Sequence, residues 1–207
     1  FFQIRVFRNS VYYKMNFGLE ILDWGCASGR VLRHFHQEYK SHGWKLHGVD
    51  IQALLVDWMR YYFPPEFNIS CCTKMPHLPF PDASLDVVYG ISVFTHTKYL
   101  WDMWLLELKR VLKPGGLCIQ TVQCETAWKF YHENRDVDWV KAGHPDSMLK
   151  KPEMDVAYFF YGNGFNAQVF YKEDTIKRFW GRYMTVVDFL PPPQFSYQNW
   201  IVMRNDG

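Results

Sequence analysis

The sequence predicts an α/β fold in which helices cover both faces of a mostly parallel sheet. From Glu20 to Val122, short apolar runs alternate regularly with amphipathic stretches, a pattern typical of consecutive βαβ units. A length of 207 residues suits a single domain, residues 1–207, better than two independent domains. Residues 123–170 are rich in aromatic side chains and in turn signals, so we predict a folded insertion over one end of the sheet.

The individual elements follow from the spacing of the apolar residues. Helices are predicted at 29–40, 52–62, 98–112 and 172–181. Strands are predicted at 20–23, 45–50, 67–71, 85–91, 116–122, 183–189 and 199–204. The run Lys113 to Gly116 is expected to stop the third helix and turn the chain, because proline lacks an amide hydrogen and glycine accepts left-handed geometry. The last two strands are expected to pair antiparallel at a sheet edge.

Charge and hydropathy argue against several classes of protein. The 23 basic and 21 acidic residues leave a formal charge of +2 without a basic run, so nucleic acid is a weak candidate partner. No apolar run reaches the roughly 18 to 20 residues that span a bilayer, and no signal-like segment is visible. We therefore expect a cytoplasmic protein with no membrane partner. The chain opens on Phe1 instead of methionine, which leaves a piece of a longer polypeptide as one interpretation.

Cysteine and histidine spacing gives no sign of a metal centre. The chain has five cysteines without CxxC spacing, namely Cys26, Cys71, Cys72, Cys118 and Cys124. Most lie in strand-like apolar segments, where thiols usually serve as small buried hydrophobic groups, so we predict reduced, structural cysteines. His34 and His36 are two positions apart on a predicted helix, whereas helical metal ligands are three or four apart. We predict no metal site.

The first predicted strand ends on an acidic residue and runs into a loop of small residues. Residues 21–29 read Ile-Leu-Asp-Trp-Gly-Cys-Ala-Ser-Gly, which places the carboxylate of Asp23 at the carboxyl end of the strand. Gly25, Ala27 and Gly29 lack the side-chain bulk that would hold a ligand away from the backbone. The loop lacks two glycines of the G-x-G-x-x-G dinucleotide pattern. An acid two residues before the first glycine suits a cationic amino-acid group better than phosphates.

A second acidic residue, Asp50, closes the second predicted strand 21 positions after Gly29. A carboxylate there can accept both hydroxyl protons of an adenosine ribose, because it has two acceptor oxygens. The alternative is a solvated aspartate at a strand end. The presence of Asp23 one helix earlier in the same βαβ frame favours the ribose.

Four segments follow one another over roughly residues 19–122, namely Asp23 to Gly29, Asp50, Leu78 to Val88 and Glu107 to Gly116. In this order they resemble the motifs of class I S-adenosylmethionine-dependent methyltransferases. The spellings Asp-Trp-Gly-Cys and Ser-Val-Phe-Thr-His are also similar to uncharacterised bacterial methyltransferases associated with glycosyltransferases. The resemblance implies a doubly wound, mostly parallel, seven-stranded Rossmann-like sheet with an antiparallel final hairpin.

The resemblance also implies S-adenosylmethionine as cofactor. Asp23 and the loop after it would hold the methionine part, Asp50 the ribose, and Ile51 would lie against the adenine. The predicted cofactor-binding residues are Asp23, Trp24, Gly25, Cys26, Ala27, Gly29, Asp50, Ile51, Thr73, Met75, Gly90 and Ile91. For Trp24 the alternative is a place in the core.

Two departures from the family pattern affect these assignments. Ala27 replaces the usual middle glycine, and its methyl group is expected to be tolerated if its backbone angles are ordinary. The acidic residue that many relatives place before the Leu-Pro-Phe segment is absent, since the region from Cys72 to Pro76 contains none. Adenine contacts there would come from backbone groups or Thr73.

The segment after the fourth strand, residues 90–96, should pass the transferred methyl group. His96 is the predicted catalytic residue, a general base, because imidazole titrates near neutral pH. The alternative is a structural histidine that caps a helix or bonds a loop carbonyl. His144, in the aromatic insertion, is the second candidate.

The predicted function is methyl transfer to a small-molecule acceptor, with a hydroxyl of a saccharide or metabolite favoured. The aromatic insertion suits stacking on a sugar ring or flat metabolite, so we place it on the substrate side. The alternatives are methylation of protein or RNA, and a cofactor-binding module without catalysis. The oligomeric state is left open.

Overall fold

The computed structural model describes residues 17–143, 156–161, 166–193 and 196–207. Its strands are β1 Glu20–Trp24, β2 Lys45–Asp50, β3 Phe67–Cys71, β4 Leu85–Gly90, β5 Leu112–Val122, β6 Val156–Tyr161, β7 Asn166–Tyr171, β8 Thr185–Leu190 and β9 Asn199–Arg204. Its α-helices are α1 His36–His42, α2 Ala53–Tyr62, α3 Trp101–Val111, α4 Glu125–Glu133, α5 Asp138–Gly143 and α6 Glu173–Phe179. Short 3₁₀ helices lie at Leu32–Phe35, Lys98–Leu100 and Trp180–Arg182.

Seven strands form one mixed sheet in the order β3-β2-β1-β4-β5-β9-β8. The strands from β1 to β5 are parallel to their neighbours, and β9 pairs antiparallel with both β5 and β8. The predicted doubly wound α/β fold with an antiparallel final hairpin is confirmed. Strands β6 and β7 pair antiparallel in a separate two-stranded sheet.

Each face of the large sheet carries its own hydrophobic core, because successive side chains of a strand point to opposite faces. Leu22 and Val88 belong to one cluster, which also contains Trp104 from α3. Ile21 and Val87 belong to the other cluster. Helices therefore cover both faces of the sheet, as the long buried strands require. No helix among the described residues has the length and apolar content needed to cross a membrane.

The predicted start of the first helix is wrong. The loop after β1 continues through residue 31, and a 3₁₀ turn at Leu32–Phe35 precedes the α-helix that begins at His36. Gly29 has a φ of +70°, a conformation that a right-handed helix excludes. The loop thus extends over residues that the apolar spacing assigned to the helix.

The run from Lys113 to Gly116 also differs from its prediction. The helix α3 does end at Val111, but the next residue already belongs to β5, so this run lies within a strand and not in a separate turn. The pairing of β4 with β5 shifts register between Leu85 and Val87. Gly115 has a φ of +82° and donates its amide to the Asn205 carbonyl at 2.6 Å. Glycine here accommodates an irregular strand.

A buried ion pair joins α3 to the segment that precedes β4. The Glu107 carboxylate accepts a hydrogen bond from the Leu78 amide at 2.5 Å and pairs with Arg110 at 2.7 Å. The Arg110 guanidinium also donates to Asp82 at 2.6 Å and to the Phe80 carbonyl at 2.9 Å. Two of the segments that resemble the family motifs are therefore joined by hydrogen bonds and an ion pair.

Candidate active site

The carboxyl ends of β2, β1 and β4 meet at one edge of the sheet. In the strand register Asp23 lies opposite Gly48 on β2 and Tyr89 on β4. Asp50 and Gly90 are the last residues of these two neighbouring strands. Since ligands of open α/β sheets bind outside the carboxyl ends of the strands, these residues define the candidate site.

Asp23 is a buried carboxylic acid, only 3% exposed. Its pKa is raised to about 7, chiefly by burial and also by the negative charge of Asp50. Hydrogen bonding by the Tyr89 hydroxyl and the Leu32 amide, and the positive charge of Arg30, oppose the rise. No lysine or arginine in the described ranges pairs with it at ion-pair distance. A buried carboxylate that makes no ion pair within the described ranges fits the amino group of an amino-acid ligand.

Asp50 lies at the end of β2 and organises the loop after β1. Its Oδ2 accepts the Ala27 amide at 2.8 Å and its Oδ1 accepts the Gln52 amide at 2.8 Å. The sequence assigned both oxygens to a ribose, but each already accepts a backbone hydrogen bond. A carboxylate oxygen has a second lone pair, so the residue can still accept a ligand hydroxyl.

The loop after β1 is a tight succession of left-handed residues. Gly25, Ala27 and Gly29 have φ values of +75°, +48° and +70°. The amides of Gly25 and Cys26 both donate to the Val49 carbonyl, at 2.8 and 3.0 Å. Ordinary backbone angles, the condition under which the Ala27 methyl group is expected to be tolerated, are therefore not met. A residue with a Cβ is strained in this conformation by about 1 to 2 kcal/mol.

Two of the predicted cofactor residues turn their side chains into the hydrophobic cores. The Trp24 ring packs against Phe94 and Trp104, with ring centroids 5.2 and 4.7 Å apart. The Cys26 thiol lies 3.9 Å from the Met59 sulfur, and burial raises its pKa. The Trp24 side chain therefore lies in the core, as the alternative interpretation of this residue holds. Only the backbone of Trp24 and Cys26 faces the loop.

Other predicted residues line the same edge with more exposure. Ile51 and Met75 are 49% and 63% exposed, and the Thr73 hydroxyl accepts the Met75 amide at 3.2 Å. Gly90 lies directly beneath the Gln120 side chain, and a Cβ at this position would collide with its Oε1. The requirement for glycine at position 90 therefore has a local steric cause.

The segment after β4 carries the predicted base. Ile91 is half-buried against the second core, and Ser92 has a φ of +63°. His96 is exposed, and its amide donates to the Val93 carbonyl at 2.9 Å. The role of His96 as a base stays a prediction. The second candidate, His144, lies outside the described residues.

The cysteines are all free thiols, and their exposure varies. Three are buried, Cys72 is half-buried and Cys71, at the end of β3, is exposed. Burial raises the pKa of Cys72 to about 11, so its thiol is protonated at neutral pH. Over the described ranges, no three histidine, cysteine, aspartate or glutamate residues form a group able to hold a metal ion.

Sequence reasoning missed a buried polar network behind the site. Thr121, near the end of β5, and Gln198, just before β9, hydrogen-bond to each other and to Ser92. Gln198 and Ser92 are 106 positions apart, so only the completed fold shows the contact. The one available signal was the polar pair Gln120 and Thr121 within an otherwise apolar strand.

Comparisons with known proteins agree with this geometry. Residues 22–120, just under half of the chain, match the family described as "Methyltransferase domain". Sterol 24-C-methyltransferase ERG6B of Gibberella zeae is 33% identical over 105 residues, which cover 48% of this chain and 26% of that protein. The ubiquinone/menaquinone biosynthesis C-methyltransferase UbiE of Ralstonia nicotianae is 28% identical over 125 residues, 58% of this chain and 49% of that protein.

The chain thus spans between about a quarter and a half of the length of these relatives. An S-adenosylmethionine-dependent methyltransferase of Methanosarcina mazei has the same fold, with a TM-score of 0.62 and 16% identity over 94% of this chain and 95% of that one. The matched domain covers β1 to β5, the part of the sheet that carries Asp23 and Asp50. Residues 22–120 are therefore similar to a methyltransferase domain, and the chain shares its fold with an S-adenosylmethionine-dependent methyltransferase.

Proposed function

We propose that this chain transfers the methyl group of S-adenosylmethionine to a small-molecule acceptor. The observation that carries the proposal is the buried Asp23 carboxylate, which makes no ion pair among the described residues and lies one strand away from Asp50. Asp23 would bind the amino group of the cofactor and Asp50 its ribose. The cofactor supplies a methyl group already activated on a sulfonium, so the protein mainly orients the reactants and excludes water.

An aromatic cluster gives the region after β5 a small hydrophobic core of its own. Trp128, Tyr131 and Phe170 are almost fully buried in it, and Trp128 and Phe170 pack edge to face at 4.4 Å. The Tyr131 hydroxyl donates to the Gln123 side chain at 2.8 Å within this core. Because these rings are buried, they support the fold of the proposed substrate-side insertion.

The aromatic cluster is joined to the segment after β4. The Val169 amide on β7 donates to the Thr95 carbonyl at 2.8 Å, one residue before His96. For a hydroxyl acceptor, such as a saccharide or other metabolite, a proton must leave as the oxygen–carbon bond forms. The exposed His96 imidazole is the proposed base that receives it.

The relatives favour a second acceptor class, a carbon atom. Both relatives described above are named C-methyltransferases, one acting on a sterol and one in ubiquinone and menaquinone biosynthesis. The two classes differ in the bond formed, which the product reveals.

The test is a methyl-transfer assay with isotope-labelled S-adenosylmethionine. Pools of saccharides, phenols with hydroquinone-type rings, peptides and RNA are offered in turn, and the labelled product is analysed for oxygen–methyl or carbon–methyl bonds. We expect label in a small-molecule pool, and loss of transfer in Asp50→Asn. The exposed Asp57 on α2 offers a matched control, and Asp57→Asn should transfer normally.

Label confined to the peptide or RNA pool would overturn the small-molecule acceptor. Tight binding of S-adenosylhomocysteine without transfer to any pool would instead favour a cofactor-binding module without catalysis.

A further inference from the structure

The segment after β4 contains a strained residue at the candidate site. Ser92 has a φ of +63°, in the left-handed region that side chains other than glycine rarely adopt. Ser92 lies two residues beyond Gly90, where β4 ends. Such a conformation persists only where the surroundings hold it, and it is common in functional sites.

Every polar group of Ser92 is hydrogen-bonded. Its amide donates to Thr121 Oγ1 at 2.7 Å, and its hydroxyl accepts from Gln198 Nε2 at 2.8 Å. The Thr95 hydroxyl donates to the Ser92 carbonyl at 2.7 Å and shares a 3.0 Å hydrogen bond with the Ser92 hydroxyl. The strained residue is therefore held from β5, from the segment before β9 and from its own loop.

Thr121 and Gln198 act as one unit. The Thr121 hydroxyl donates to Gln198 Oε1 at 2.6 Å, which leaves the Gln198 amide group to donate to Ser92. Both residues are almost fully buried, at 2% and 8% exposure. A buried polar network with all members satisfied specifies one arrangement, because any displacement leaves a polar group unpaired.

The conformation at Ser92 determines where the next residue packs. The Val93 side chain lies on Gly25, so closely that a Cβ built at Gly25 would be 2.5 Å from Val93 Cγ2. Phe94 then packs against Trp24, the residue before Gly25. Ser92 thus places the segment after β4 against the loop that follows Asp23.

We propose that Thr121 and Gln198 are positioning residues for cofactor binding. They act through Ser92 to hold Val93 against the loop from Gly25 to Gly29. Neither residue needs to touch the cofactor. The inference rests on the proposed function, since it takes the loop from Gly25 to Gly29 as the cofactor loop. A purely structural role for the pair would affect stability alone.

The test compares the affinity for S-adenosylhomocysteine, by calorimetric titration, with the thermal unfolding midpoint. We expect Gln198→Leu to weaken binding at least about tenfold at temperatures where it is fully folded. Asn205→Leu is the matched control, because Asn205 is equally buried near the other end of β9 and donates to the Leu112 carbonyl at 2.8 Å. It should lower the midpoint and leave the affinity within about twofold.

Ser92→Gly provides the rescue. Glycine adopts a φ of +63° without help, so Ser92→Gly in the Gln198→Leu background should recover most of the lost affinity. If Gln198→Leu fails to fold, Thr121→Val and Thr121→Ser replace it, with weak binding expected for the first and near-normal binding for the second.

Unchanged affinity in folded Gln198→Leu or Thr121→Val would overturn the inference while leaving the proposed function intact. If Gln198→Leu and Asn205→Leu lose affinity equally, or if Ser92→Gly does not restore the affinity of Gln198→Leu, the hydrogen-bond network of Thr121 and Gln198 has only a structural role. A wild-type chain that does not bind S-adenosylhomocysteine would overturn both proposals.

Discussion

The amide of Ala27 donates a 2.8 Å hydrogen bond to the carboxylate of Asp50, so the end of β2 holds the loop after β1 in a left-handed turn. The same carboxylate also accepts the amide of Gln52 at the start of α2. One aspartate thereby ties together the loop and the helix on either side of the proposed ribose site.

Ala27→Gly is expected to stabilise the chain. The alanine has a φ of +48°, and relief of this strain outweighs the extra freedom that glycine gives the unfolded chain, by about 0.5 to 1 kcal/mol. The free energy of unfolding in urea measures the change. Ala83 also has a φ of +48° but is exposed before β4, so Ala83→Gly is the control, with a similar gain in stability. A loss of stability in Ala27→Gly would contradict the strain argument.

Asp23 should make the cofactor-free protein less stable as the pH rises. Its native pKa of about 7 lies above the value of 3.8 for a free carboxyl, so the native state binds more protons between these values. The free energy of unfolding therefore falls from about pH 4 to pH 7, by at most about 4 kcal/mol. Asp23→Asn should remove this dependence and be more stable than wild type at pH 8. If the free energy of unfolding varies with pH in the same way in the wild type and in Asp23→Asn, the pKa of Asp23 is not raised.

Cofactor binding should release a proton from Asp23. The amino group of S-adenosylhomocysteine, placed beside the carboxylate, favours the ionised form and lowers the raised pKa. At pH 6 we expect the observed binding enthalpy to vary with the ionisation enthalpy of the buffer, and the affinity to increase towards pH 8. Asp23→Asn should bind weakly and show no such release. A buffer-independent enthalpy in the wild type would contradict the assignment of the amino group to Asp23.

Arg110→Ala should destabilise the fold by about 3 kcal/mol. The substitution leaves the buried Glu107 carboxylate without its cation and frees the Leu78 and Phe80 carbonyls that the guanidinium binds. Glu107→Gln in the same background should recover part of the loss, because it removes the uncompensated charge. Lys129→Ala, which breaks an exposed pair with Glu133, should cost less than about 0.5 kcal/mol. A similar loss of free energy of unfolding in Arg110→Ala and Lys129→Ala would show that burial of Glu107 is unimportant.

The parts of the fold that could be predicted from the sequence depend on local patterns. The strands around Asp23 and Asp50 are short apolar runs that end on an acid, so the sequence alone indicates both that they are strands and where they end. The start of the first helix was wrong, because apolar spacing cannot detect that Gly29 is left-handed. The left-handed conformation of Ala27 has no local sequence signal for a related reason, since its hydrogen bond to Asp50 forms only when β1 and β2 pair.

No local sequence pattern predicts the polar network behind the site. Gln198 reaches Ser92 because β9 inserts between β5 and β8, an order set by the whole sheet. A single glutamine before a terminal strand carries no signal of this contact. The predicted roles of Thr73, Met75 and His96 likewise depend on a ligand's position and stay predictions.

The most direct measurement is a crystal structure of the chain with S-adenosylhomocysteine. We predict that the amino group of the ligand lies within hydrogen-bond distance of the Asp23 carboxylate and that its ribose hydroxyls donate to Asp50. A ligand bound elsewhere, with both carboxylates contacting only protein atoms, would contradict the account.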